Sequence, residues 1–131
     1  MPLWNKDEVC PNTIYPDVVA GLYYLALHDN TSVAVVRFQL EDPQFWSDIS
    51  HTDSAFLHRL AVRRTFAGGT VVTELLNWAV AHACCLGKHY LRLDCAFDRV
   101  RLRLRYERFG FRHHSDRQVG PYSVARYEYQ L

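Results

Sequence analysis

Long apolar runs are missing from this chain: none approaches the ~20 consecutive residues that a membrane-spanning helix needs. An excess of either charge is missing too, since 15 Lys and Arg stand against 14 Asp and Glu and leave a formal net charge of +1. No global field therefore steers the protein towards nucleic acid or an anionic membrane, and neither partner is expected. The first residues, Met-Pro-Leu-Trp-Asn-Lys-Asp-Glu, have neither the basic start nor the apolar stretch of a signal peptide, so the expected location is cytoplasmic. Cysteine is sparse and unpatterned. Cys10, Cys84, Cys85 and Cys95 show no CxxC spacing, which predicts free, mostly buried thiols in a reducing compartment. The histidines are scattered, His113 and His114 would face opposite sides of a strand, and no HExxH spacing occurs, so no metal is expected. Repeats, low-complexity segments and linkers are also absent, and residues 1–131 read as one domain with its own core.

What is present centres on the stretch from Ser54 to Cys95. It reads as a strand (Ala55–Val62), a loop with paired glycines (Ala67-Gly68-Gly69-Thr70), a helix ending near Gly87, and a second strand (Tyr90–Cys95). On the helix, Val71, Val72, Leu75, Leu76, Ala79, Val80 and Ala83 recur at three- and four-residue spacing, the pattern of a face packed on a sheet. Gly87 can supply the left-handed residue that stops the helix. A strand, a glycine turn and a helix in this order place a row of backbone N–H groups where a phosphate can sit. A strand–helix–strand unit of this length favours parallel strands joined by a right-handed crossover.

Around that unit the pattern is simpler. Gly21–His28 and Ser32–Phe38 are aromatic and β-branched, with Asp29-Asn30 as a turn, and predict an antiparallel hairpin. Asp17–Ala20 can form one helical turn between prolines. Residues 44–53 form a polar loop carrying Phe45, Trp46 and Ile49, which either cap a core edge or wall a cleft. From Asp98 to Phe109, arginines alternate with apolar residues and suggest a strand. Yet Leu102, Tyr106 and Phe109 share one helical face, Asp98 can cap its start and Gly110 can end it. Phe111–Ser115 and Tyr122–Tyr129 read as closing strands around the Gly120-Pro121 turn.

Three pieces stand in order and at proper spacing. They are Leu60-Ala61-Val62 at a strand end, residues 67–72 (Ala-Gly-Gly-Thr-Val-Val) before the Leu75-Leu76 pair, and Tyr106-Glu107-Arg108-Phe109-Gly110-Phe111. In these pieces the chain, from about Trp4 onward and best from Phe56 to Phe111, resembles the GCN5-related N-acetyltransferase (GNAT) superfamily. Among such proteins it looks like a small bacterial-type member with a degenerate pyrophosphate loop and a shortened N-terminal part. The resemblance implies an α/β fold: a mixed, centrally splayed sheet of about six strands flanked by helices. The resemblance favours a helix at residues 98–109, with the strand that the alternation suggests as the other reading. It also implies acetyl-CoA as co-substrate and transfer of its acetyl group to an amine on a small molecule or peptide.

Roles follow from the same resemblance. Main-chain groups near Leu60, Ala61 and Val62 would pair with the pantetheine arm, and Ala67, Gly68, Gly69, Thr70, Val71 and Val72 would receive the pyrophosphate. Arg99, where the family commonly has asparagine, would meet cofactor phosphate. Tyr106 would protonate the leaving thiolate, although a core aromatic is an equal reading of that residue. His58 is the candidate base, with Glu41, Asp42 and Asp94 behind it; a packed or surface histidine is the plainer reading. Thr70 and Val72 stand where the family's loop has glycine, which supports a competing expectation. In that alternative the chain is a catalytically lapsed relative that binds an acyl-CoA or small ligand, or works through a homodimer interface.

Overall fold

The computed structural model describes residues 15–16, 23–28, 31–62 and 70–131. Their elements are β1 (Tyr15–Pro16), β2 (Tyr23–His28), β3 (Thr31–Gln39), β4 (Ser54–Val62), α1 (Val71–Cys85), β5 (Tyr90–Ala96), α2 (Val100–Phe109), β6 (Arg112–Val119) and β7 (Tyr122–Gln130). The contacts group into two units, Met1–Phe38 with His58–His82, and Gln39–Leu57 with Ala83–Leu131. Cys10, Asp17–Ala20, the Asp29-Asn30 turn and Ala67-Gly68-Gly69 lie outside the described residues.

In the first unit β2 pairs antiparallel with both β1 and β3, which gives the expected hairpin. β3 is buried along most of its length, at Val33, Ala34, Val36 and Phe38. On α1, Val71, Val72, Leu75, Leu76 and Ala79 are buried, so the three- and four-residue spacing does mark its inner face. A ring cluster joins helix and hairpin. Tyr24 lies 4.7 Å from Trp78, Phe38 lies 4.7 Å from His82, and Trp78 and His82 stack at 5.1 Å one helical turn apart.

In the second unit β4 pairs parallel with β5 from Ser54↔Tyr90 to Leu57↔Leu93. β5 continues antiparallel with β7, and β7 with β6. Leu91, Leu93 and Cys95 fill one face of β5, while Arg92 is buried on the other. Two glycines end the helices at positive φ. At Gly87 (φ 74) its N–H donates to Cys84 O at 2.9 Å and Lys88 N–H to Ala83 O at 3.1 Å, the paired bonds of a Schellman stop. At Gly110 (φ 127) its N–H donates to Glu107 O and Phe111 N–H donates to Tyr106 O.

The helix implied at residues 98–109 stands, over Val100–Phe109, in spite of the strand-like alternation, and burial of Tyr106 marks the inner face of a segment made of good helix formers. Its start and several other expectations need correction. Asp98 does not cap it: the N-cap is Arg99, and no side chain bonds there. The turn is held instead by Val100 N–H donating to the backbone oxygen of Asp98 at 3.0 Å and by Arg103 Nη1 donating to Phe97 O at 3.0 Å. Among the described cysteines Cys95 is buried, whereas Cys84 and Cys85 are exposed, because the helix presents that part of its last turn to solvent. β6 runs on to Val119, past Ser115. A register shift between His113 and Ser115 leaves His114 as the extra residue of a bulge, yet the two histidines still face opposite sides, His113 against Tyr127 and His114 against Trp46.

Candidate active site

The loop before β4 shows how this chain positions large side chains without regular structure. Asp42 Oδ1 accepts from Gln44 N–H at 3.1 Å and from Phe45 N–H at 3.0 Å, which turns the chain and drives Trp46 inward to full burial. Trp46 then lies beneath two arginines, 5.6 Å from the Arg92 guanidinium and 4.6 Å from that of Arg126. Arg126 is 3% exposed and clamps the loop: it donates to Asp48 at 2.7 and 3.1 Å, to Phe45 O at 3.1 Å and to Ser115 Oγ at 2.8 Å. That hydrogen bonding holds the Asp48 carboxyl down to about 2. Arg92 donates to Glu128 Oε2 at 3.1 Å through Nη2 and to Ser54 Oγ through Nη1. Of the loop's apolar residues, Trp46 caps the core and Phe45 reaches the ring of Tyr122 at 6.2 Å.

Tyr106 sits on the inner face of α2 and is 4% exposed. Its ring packs against Phe111 at 5.8 Å and Tyr127 at 6.2 Å. Burial raises its phenol above the usual tyrosine range, with the Cys95 thiol a further contribution, so the hydroxyl keeps its proton throughout the physiological range. Burial likewise pushes the Cys95 thiol up to about 11, which makes it a poor nucleophile. Arg103 donates to Tyr127 Oη at 3.0 Å, and Tyr127 Oη donates to Glu107 at 2.5 Å. A short polar chain thus runs beside the Tyr106 ring.

The other sequence candidates distribute as follows. Tyr106 and Arg99 belong to the second unit; Arg99 is exposed at the start of α2. His58, Leu60, Ala61 and Val62 occupy the later half of β4 in the first unit, His58 half-buried and Ala61 exposed. Thr70 is exposed just ahead of α1, and its carbonyl accepts from Glu74 N–H at 2.9 Å. Val71 and Val72 turn their side chains into the core, so what this end of the helix offers an anion is main-chain N–H. Sequence reading missed Cys95, Arg103 and Tyr127 around Tyr106, and the exposed pair Phe97 and Tyr122. Arg103 alone carried a signal, as the arginine one turn before Tyr106 on the same helix.

The model of the acetyltransferase (GNAT) family matches residues 4–111, and the chain belongs to that family. A Bacillus subtilis relative described as the uncharacterized N-acetyltransferase YesJ is 40% identical over 70 residues, 53% of this chain and 39% of that protein. The match therefore spans about two fifths of the relative's length. Among solved structures, a GNAT-family acetyltransferase from Listeria monocytogenes is similar with a TM-score of 0.71 and 21% identity, covering 85% of this chain and 65% of the other. One from Elizabethkingia anophelis, with acetyl-CoA bound, gives a TM-score of 0.70 at 15% identity, covering 83% and 75%. The fold is thus the GNAT fold, with strands paired both parallel and antiparallel and two helices among the described residues.

Proposed function

We propose that this protein transfers the acetyl group of acetyl-CoA to an amine. Membership of the GNAT family over residues 4–111 carries this reading. The N–H groups opening α1 at Val71 and Val72, with Thr70 and the glycines Gly68 and Gly69, receive the pyrophosphate, aided by the positive end of the helix dipole. Main-chain groups of β4 from Leu60 to Val62 pair with the pantetheine arm as an added strand would, and Arg99 meets phosphate.

The chemistry is then ordinary acyl transfer. The amine nitrogen bonds to the thioester carbonyl carbon, the C–S bond breaks, and the sulfur takes a proton from the Tyr106 phenol. The proton lost by nitrogen leaves through water or His58. A phenol held protonated by burial suits the acid role, and the same burial among aromatic rings favours the second reading, a lapsed relative that keeps only binding. The acceptor is a small-molecule or peptide amine, the protein works in the cytoplasm, and a homodimer is one assembly open to it.

The test is steady-state release of free coenzyme A from acetyl-CoA with a panel of amines. Tyr106→Phe should slow turnover by about a hundredfold while acetyl-CoA binding changes little. Unchanged turnover would remove Tyr106 from the acid role, and no release with any amine would favour the lapsed relative.

A further inference from the structure

At the far end of β5 the second unit opens into a cleft. A cavity of about 460 Å³ is walled by Ala96, Phe97, Asp98, Pro121 and Tyr122, with Val124 at its floor. A second of about 290 Å³ shares Phe97, Ser123 and Val124 with it and adds Asp116, Arg117 and Gln118, so the two are continuous through common walls. A volume of this order suits a small ligand. The walls hold two large rings in contact with solvent, Phe97 at 47% and Tyr122 at 55% exposure. Phe45, from the loop clamped by Arg126, backs the Tyr122 ring. Aromatic surface left open around a concavity is costly in water unless something covers it.

The charges around the cleft are not equivalent. Arg117 is engaged outside it, with Asp48 at 3.2 Å and Ser47 at 3.0 Å. Arg103 is spent on the Phe97 ring at 4.8 Å, on the Phe97 carbonyl and on Tyr127 Oη. Asp116 meets His113 at 2.8 Å. Asp98 is exposed among the apolar walls, and what it contributes to the helix start is its backbone oxygen. The recognition chemistry left in the cleft is therefore aromatic surface with a carboxylate beside it, which fits a cation on a flat apolar body. Arg103 also ties this cleft to the aromatic cluster of Tyr106, since it bonds both Phe97 and the Tyr127 that packs on Tyr106.

We propose that this cleft is the acceptor site and takes a primary amine borne on an aromatic ring, the ring against Phe97 and Tyr122 and the ammonium towards Asp98. The assignment rests on the acetyl-transfer reading and specifies its acceptor class.

Calorimetry on the full chain, with and without saturating coenzyme A, tests it with phenethylamine, ethylamine and 3-phenylpropanoate. Phenethylamine should bind roughly ten- to hundredfold more tightly than ethylamine, the ratio that burying one ring supports. Tyr122→Ala should remove most of that ratio, and Asp98→Asn should abolish the preference for the amine over the carboxylate. In the coupled assay the same two substitutions should raise KM for phenethylamine about tenfold and leave KM for acetyl-CoA within about twofold. If acetyl-CoA binds but phenethylamine does not at about 10 mM, or binds equally well to Tyr122→Ala, the cleft assignment is wrong and acetyl transfer still stands. If phenethylamine binds as described but no coenzyme A is released, the acceptor role falls together with the acetyl-transfer reading.

Discussion

The two units solve the same packing problem with different chemistry. The first locks helix to hairpin with uncharged rings: Tyr24, Phe38, Trp78 and His82 stack and tilt against one another within 4.7 to 6.2 Å. The second buries two arginines, at 6% and 3% exposure, and builds loop, strand and bulge around them. Ring clusters tolerate neutral exchange and respond weakly to salt, because their attraction lies in area and quadrupole. A buried guanidinium must keep every partner, since removing one leaves a desolvated charge. Shape in the second unit is therefore specified by polar geometry, through Arg92, Arg126 and the partners they hold.

The largest effect should come from the group that both arginines cover. Trp46→Ala should cost about 3–5 kcal/mol in chemical denaturation, the range for deleting a fully buried aromatic side chain. Arg126→Met should cost somewhat less, about 2–3 kcal/mol, because Asp48 is 41% exposed and water recovers part of its charge. If Arg126→Met instead proves no worse than Trp78→Phe in the first unit, the contrast between the units collapses. Gly110→Ala should cost about 1–3 kcal/mol, since φ there is 127° and a Cβ would come within 3.0 Å of the Tyr129 ring.

The smallest effect is a matter of pH. Burial lowers the His82 pKa from 6.5, so below that value the unfolded chain binds the proton and the folded one resists it. Stability should therefore fall as pH drops from 7 towards 5, and His82→Phe should flatten that slope. For Asp48, held at about 2 from 3.8, the sign is the same but the window lower: its contribution is present above 3.8 and lost as pH falls towards 2. An unchanged slope in His82→Phe would show that the ring cluster leaves His82 as free to protonate as it is in the unfolded chain.

How far the sequence reached can be judged from these same residues. Periodicity identified α1 and its inner face, and Gly87 and Gly110 marked the two helix stops, because the chain takes a positive φ there, which glycine adopts at no steric cost. Alternation alone left residues 100–109 open, since a two-residue period in arginine and leucine fits either structure; the family resemblance chose the helix, and the burial of Tyr106 on one face agrees with it. The burial of Arg92 and Arg126 had no local signal, since it depends on Glu128 and Asp48, which are distant in sequence. The bulge at His114 has no local signature. The Tyr106 motif was legible by family likeness, but the cleft was not, because Phe97 and Tyr122 come to line one cleft only through the β5–β7 pairing that sets Ala96 opposite Val124.

All of this converges on one binding event, and a melting-temperature titration with acetyl-CoA tests it most directly. The melting temperature should rise with the logarithm of ligand concentration, the added stability reaching about 2.7 kcal/mol at a hundredfold excess over Kd. A melting temperature that stays flat up to millimolar acetyl-CoA would contradict it.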